Sequence, residues 1–295
     1  MKINIINACC DLGVNVDGAS IGPKVIKEKI KDNHKIKTIN DVLCDCSNKS
    51  QDENDLEKNY DRLMEYTTRL YENILSTKNV DSFTITIGGD HSIAVSSSLA
   101  SIKKEEDLGI IWIDAHADYN TFQTTITGNL HGLPLATING LNKRLSLFHD
   151  GKYYDPKKTV IVGYRTEEVN KAEEVNNLKT AGVSFFTTKD LKKDGIEVTM
   201  KKAFDIASNS GKNKVHISYD LDFIDPEVAP GVSIPEVNGP SKEEALKVAN
   251  TLTEYKNLIS SFDLVEYNPI NDKDNKTLDI AVEILNKIID TFSED

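Results

Sequence analysis

The stretch Gly109-Ile110-Ile111-Trp112-Ile113-Asp114-Ala115-His116-Ala117-Asp118 changes character at its midpoint. Its first half is an apolar run without polar alternation. A strand with one wet face alternates apolar and polar side chains, so an unbroken run fits a strand covered on both faces, as parallel strands are. Its second half sets Asp114, His116 and Asp118, and then Asn120, at every second position. In extended backbone those side chains point to one side. Polar groups gathered at a strand end lie where open parallel sheets bind ligands.

Similar apolar runs recur at residues 2–8, 36–43, 82–87, 159–163, 183–186, 214–219 and 257–264. Between them lie amphipathic stretches at 22–31, 53–76, 93–103, 169–181, 196–207, 241–253 and 277–292. Ser241-Lys242-Glu243-Glu244 reads as a capping box, in which the hydroxyl and the third-position carboxylate satisfy amides reciprocally. Strand–helix alternation along the whole length predicts an α/β fold: a single doubly wound three-layer domain over residues 1–295, with a mainly parallel eight-stranded sheet flanked by helices. No linker divides the chain.

Composition removes several functions. The 295 residues include 35 Lys and Arg against 47 Asp and Glu, a net charge of −12. Binding nucleic acid through its phosphates needs a clustered positive surface, so no nucleic-acid partner is expected. Hydrophobic residues make up 39% and charged residues 28%, an ordinary globular balance. The longest apolar runs are a handful of residues, so no membrane span is expected, and the N-terminus lacks a signal-peptide core. Cys9, Cys10, Cys44 and Cys46 are too few and too unevenly spaced for a disulfide framework, and a zinc site from all four has the wrong spacings. They read as reduced thiols near strand ends, in a cytoplasmic protein. Walker A, G-x-G-x-x-G and G-x-S-x-G patterns are absent.

Two further segments resemble the first in kind. Gly88-Gly89-Asp90-His91-Ser92 joins a strand to a helix, its glycines allowing a tight turn and close backbone approach. Ser218-Tyr219-Asp220-Leu221-Asp222 again spaces carboxylates by two at a strand end, and runs into Asp225-Pro226 and a rigid loop. Taken singly, His91 reads better as a helix-start residue, and Asp220 with Asp222 as a loop cap or an arginine partner. Together, three strand ends bring two histidines and four aspartates to one sheet edge. Burying four unpaired carboxylates costs several kcal/mol each. Two divalent cations cancel the four charges. Carboxylates and imidazoles without thiolate suit a fairly hard ion such as Mn²⁺. A cation pair lowers the pKa of a shared water, and hydrolysis of a weak electrophile is the natural use.

In this order the three segments resemble those of the ureohydrolases: arginase, agmatinase and related guanidino hydrolases. The resemblance runs from Ala19-x-x-Gly22-Pro23 to Glu266-Tyr267-Asn268-Pro269. It implies an arginase-like fold and two Mn²⁺ per subunit. One ion is held by His91, Asp114, Asp118 and Asp220, the other by Asp114, His116, Asp220 and Asp222. Thr127-Gly128-Asn129-Leu130-His131-Gly132 is similar to the arginase version of the loop after the second motif. It implies a proton shuttle at His131 and α-carboxylate contacts at Asn120 and Thr127, with Asn129 beside them. Glu266 matches the acid that pairs with the guanidinium, so His131, Asp118 and Glu266 form the implied catalytic set.

Two positions depart from the pattern. An Asp that contacts the substrate's α-amino group is expected after Gly163-Tyr164-Arg165, but this sequence has Glu168 in a lengthened segment, with Glu173 and Glu174 as alternatives. Ile234 stands where arginases carry a threonine near the guanidinium. The expected activity is cleavage of L-arginine to ornithine and urea by a metal-bridging hydroxide. Other guanidino hydrolases (agmatinase, guanidino-acid hydrolase, formiminoglutamase) and a non-catalytic metal- or amino-acid-binding protein stand as alternatives. The resemblance further implies a homotrimer or homohexamer. His216 reads as a satisfied core residue, His34 and His149 as surface or loop residues, and Asp225 as a loop brace.

Overall fold

The computed structural model describes residues 1–77, 81–146, 152–165 and 172–293. Its eight strands are β1 (Lys2–Cys9), β2 (Ile36–Leu43), β3 (Ser82–Gly88), β4 (Gly109–Ile113), β5 (Thr159–Tyr164), β6 (Ser184–Thr187), β7 (Val215–Asp220) and β8 (Ile259–Val265). They form one sheet in the order β2-β1-β3-β8-β7-β4-β5-β6, and every neighbouring pair is parallel. The expected "mainly parallel" sheet is therefore wholly parallel. All residues of β3, β4, β5, β7 and β8 are buried, as their unbroken apolar runs require.

Helices cover both faces. The helices α1 (Gly22–Ile30), α7 (Ile196–Ala207), α8 (Lys242–Glu254) and α9 (Lys276–Ser293) pack on one side around Ile85, Ile111, Ile217 and Phe262. On the other, α2 (Tyr60–Thr77), α3 (Ala94–Lys104) and α4 (Pro134–Ile138) enclose Ile6, Ile110, Trp112 and Ile161. The shorter helices α5 (Ala172–Ala181) and α6 (Thr188–Asp194) complete the two layers. The capping box forms as read: Ser241 Oγ accepts from the Glu244 amide, and the Glu244 carboxylate accepts from the Ser241 amide. No helix among the described residues is long and apolar enough to cross a membrane.

One expectation about helices needs correction. The stretch 53–76 becomes helical only at Tyr60. Ahead of it, Asp52 and Asp55 accept hydrogen bonds from the amides two residues on, and Asn59 has φ 57°. Short acidic side chains that bond their own backbone compete with helix formation. The freed loop instead clasps the 120–132 loop, with the Lys58 amide on the Gly128 carbonyl. Gly128 has φ 68°, and a Cβ there would stand 2.1 Å from the Asp55 carbonyl, so this contact requires glycine. The stretch 169–181 is seen as helix from Ala172; its first residues lie outside the described residues.

Candidate metal centre

Four adjacent strands, β3, β8, β7 and β4, deliver their following residues to one place. His91 follows β3, Asp114 to Asp118 follow β4, Asp220 ends β7 with Asp222 beyond it, and Glu266 follows β8. Each turn has a local cause. Gly89 lies so close to the Cys10 carbonyl that a Cβ would stand 1.8 Å from it, and the Asp90 amide donates to that same carbonyl. Asp90 then caps the next turn through the Ser92 amide and holds the Gly13 amide at 2.7 Å. Asp118 and Glu266 have φ of 49° and 67°, a region that side chains other than those of Asn and Asp rarely occupy.

The six predicted ligands converge. His91 Nδ1 lies 3.0 Å from Asp114 Oδ2, 3.2 Å from Asp118 Oδ2 and 3.0 Å from Asp220 Oδ2. His116 Nδ1 lies 2.9 Å from Asp222 Oδ2 and 3.5 Å from Asp114 Oδ1. Two three-residue sets suit a cation, His91 with Asp114 and Asp118, and Asp114 with His116 and Asp222, and they share Asp114. His91 Nε2 is 2.8 Å from Ser218 Oγ, and the ring stacks on Trp112 at 3.9 Å. The Trp112 indole N–H donates to Asp114 Oδ2 at 2.8 Å. Ser218 and Trp112 thus hold His91 and Asp114 from behind, an arrangement that suits the outer partners of a metal site.

The electrostatics test whether the cage fits a metal. His91 Nδ1 is buried, faces three carboxylate oxygens and makes no hydrogen bond. Burial, Asp222 and Asp114 push the Asp220 pKa well above the usual carboxylate range. Burial and Asp114 raise Asp222 to about 6. Burial opposes ionisation of Asp114 as well, but the neighbouring imidazoles of His116 and His91 hold it well below the usual range. Burial works against charged His91 and His116, and their carboxylate neighbours overcome it and raise both. Acidic oxygens and imidazole nitrogens here compete for protons in a space that a cation would neutralise. The donor set fits a pair of divalent ions.

Beside the cage lies a cavity of about 300 Å³. It is lined by His116, Asp118, Asn120, Thr127, Asn129 and His131 from the predicted set, and by Glu174, Ile234 and Glu236. A larger cavity, about 460 Å³, opens next to Arg165 and shares Glu236, but none of the six predicted ligands lines it. His131 Nδ1 lies 3.0 Å from Glu266 Oε1, which also accepts from the His91 amide at 2.9 Å. Glu266 Oε2 is buried without a hydrogen-bond partner. Burial opposes charge on His131, but Glu266 outweighs it and raises the imidazole pKa.

Glu168 lies outside the described residues. Of its two alternatives, Glu173 is exposed, whereas Glu174 is buried and accepts from the Tyr119 amide at 2.9 Å and from Asn120 Nδ2 at 3.0 Å. Glu236 escaped the sequence reading, although it follows Pro235 two residues beyond Ile234; its Oε1 lies 3.5 Å from His116 Nε2. Arg165 fastens that loop through the carbonyls of Asp222, Phe223, Glu236 and Val237.

The remaining assignments divide in the same way. His216 has a partner on each ring nitrogen, Ser261 at 2.8 Å and Asp263 at 3.0 Å. Asp225 accepts from the Gly239 and Glu227 amides, a loop brace as expected. His34 is exposed, and His149 lies outside the described residues.

The model of the arginase family matches residues 1–290. The chain belongs to the arginase family. It is 31% identical to the arginase of Bacillus subtilis over 296 aligned residues, covering 97% of both chains. Among solved structures it is similar to the arginase of Bacillus caldovelox, with TM-score 0.88 and 29% identity over 98% of each chain. It is also similar to the arginase of Entamoeba histolytica solved with L-ornithine, with TM-score 0.88 and 25% identity over 97% of this chain and 98% of that one. Membership makes this family member a hydrolase of guanidino carbon–nitrogen bonds.

Proposed function

We propose that the protein hydrolyses L-arginine to L-ornithine and urea, using two Mn²⁺ ions held by His91, Asp114, Asp118 and Asp220 and by Asp114, His116, Asp220 and Asp222. The observation that carries this reading is His131, which lines the same cavity as His116 and Asp118 and pairs behind it with Glu266, whose buried Oε2 has no hydrogen-bond partner. When bound, the ions supply a water ionised at neutral pH and electrostatic stabilisation of the developing charge.

The chain's own residues do the rest. Glu266 Oε2 accepts a guanidinium N–H and fixes the position of the reacting carbon. His131 Nδ1 is tied to Glu266, so Nε2 carries the proton that goes to the departing amine. Asp118 orients the attacking water. Asn120, Thr127 and Asn129 face the α-carboxylate, and Glu174 takes the α-ammonium that the pattern assigns to an Asp. Orientation of this kind lowers the barrier by removing the entropy cost of alignment.

A second reading has its own support. Glu174 and Glu236 add negative charge to a lining without lysine or arginine among its described residues, and Ile234 adds an apolar wall. Such a lining favours a guanidino amine without a carboxylate. A panel of arginine, agmatine and guanidino acids with a urea readout separates the two. Arginine is expected to give the highest kcat/KM; agmatine ahead of arginine overturns the assignment. Manganese-loaded protein that hydrolyses no member of the panel would make this chain a non-catalytic binder.

A further inference from the structure

Three of the four cysteines, read separately in the sequence, meet in the fold. Strands β1 and β2 are parallel with Cys9 opposite Leu43, and the Cys44 amide donates to the Cys9 carbonyl. This register sets Cys10 beside Cys44. Cys46, two residues on, returns to the same side when the backbone is extended. The sulfurs of Cys10, Cys44 and Cys46 all lie within 4.8 Å of one another. Cys9 is not among them: its Sγ turns to the Asn7 carbonyl.

We propose that Cys10, Cys44 and Cys46 form a thiolate site for a soft d¹⁰ cation, Zn²⁺, separate from the carboxylate–imidazole cage. The residue types favour it, since thiolates select zinc or copper(I) over manganese. The spacing agrees: a zinc–sulfur bond of about 2.3 Å sets tetrahedral sulfurs about 3.8 Å apart. The surroundings favour thiolate charge at Cys44, where hydrogen bonds from Cys10 and Cys46 lower the thiol pKa, whereas burial pushes the Cys10 thiol up and Cys46 also lies above its usual value. The Asp11 amide donates to Cys46 Sγ at 3.4 Å, and the Arg69 guanidinium, bonded to the Leu43 carbonyl, adds positive charge beside Cys44. Cys10 is fully buried, while Cys44 and Cys46 are partly exposed, so a fourth ligand enters from their side. None of the three residues lines the cavity beside the cage.

The test adds Cd²⁺ to reduced, manganese-loaded protein and follows sulfur-to-cadmium charge-transfer absorption, a signal that carboxylates and imidazoles do not give. The band is expected to saturate at one equivalent per chain, to be competed away by Zn²⁺, and to persist in Cys9→Ser. The double variant Cys44→Ser/Cys46→Ser should lose it while keeping guanidino hydrolysis. No band in the wild type, or an undiminished band in the double variant, overturns the site. A second measurement needs no variant. Alkylation of Cys44 and Cys46, read by mass spectrometry, should slow at least tenfold with one equivalent of Zn²⁺; unchanged rates overturn the site equally.

Discussion

Two buried histidines on neighbouring parts of this sheet teach what separates a structural network from a metal centre. His216, within β7, has one partner on each ring nitrogen: Ser261 Oγ on one, Asp263 on the other. Asp263 in turn accepts from Ser97, and Ser101 meets Ser261 at 2.7 Å. His91, at the end of β3, has Ser218 on Nε2, but its Nδ1 faces three carboxylate oxygens and bonds none of them. Both sites combine His, Asp and Ser from parallel strands of one sheet. In the first, both imidazole nitrogens are met within the chain, and only the far oxygen of Asp263 lacks a hydrogen-bond partner. The second is incomplete without positive charge, and that demand lies at the carboxyl edge of the sheet, where a ligand can enter.

Substitutions can break this comparison. Asp220→Asn removes a ligand proposed for both ions. It should lower guanidino hydrolysis by about a thousandfold or more, the several kcal/mol that a metal supplies. Activity within tenfold of the wild type would place the reacting centre elsewhere. His131→Asn leaves the cage intact, so steady-state kinetics should show a fall in kcat of about a hundredfold or more with the bound metal unchanged. Loss of metal in that variant would mean that His131 supports the cage and not proton transfer.

Ser218→Ala and Ser261→Ala form the sharpest pair. Ser218→Ala should weaken manganese binding by roughly 10- to 100-fold, the usual cost of losing a partner behind a metal-ligating histidine. Ser261→Ala should leave metal affinity alone and cost about 1–3 kcal/mol of stability through the unsatisfied imidazole. Equal effects in a metal titration and a denaturant melt would erase the distinction between the two histidines.

The smallest effect is a pH dependence. Burial and Asp114 place the folded pKa of Asp222 at about 6, above its unfolded value near 4. A carboxyl raised on folding stabilises the protonated fold, so its contribution is present below about 4 and is lost as pH rises through about 6. Manganese binds the ionised form. The manganese-induced rise in Tm should therefore grow from pH 5 to pH 7, and a gain that is flat across that window would remove Asp222 from the site.

What the sequence showed and what it hid follow from range. Alternation is local, so it picks out Asp114, His116 and Asp118 and then Asp220 and Asp222, but turns and not extended backbone bring them together: β4 ends at Ile113, Asp118 has φ 49° and Asp222 lies in a 3-10 turn. Ser218 belongs to the same alternating set as Asp220 and was legible in principle. The contact between Cys10 and Cys44 depends on the register of two strands 34 residues apart, which no local period encodes. Glu236 reaches His116 because Arg165 ties the carbonyls of its loop, a contact 71 residues long. The short helix α4 begins at Pro134 and spans five residues, too few for a period to show. The early start expected for α2 failed because Asp52, Asp55 and Asn59 bond locally, an effect that apolar periodicity does not register.

Metal stoichiometry is the most direct measure of the cage. Protein stripped of metal, dialysed against saturating Mn²⁺ and analysed by atomic emission should hold two ions per chain, and Asp114→Asn, which alters the carboxylate shared by both sets, should lose both. A wild type that retains one ion or none at saturation, or an Asp114→Asn variant that still holds two, would contradict a paired centre built from these six side chains.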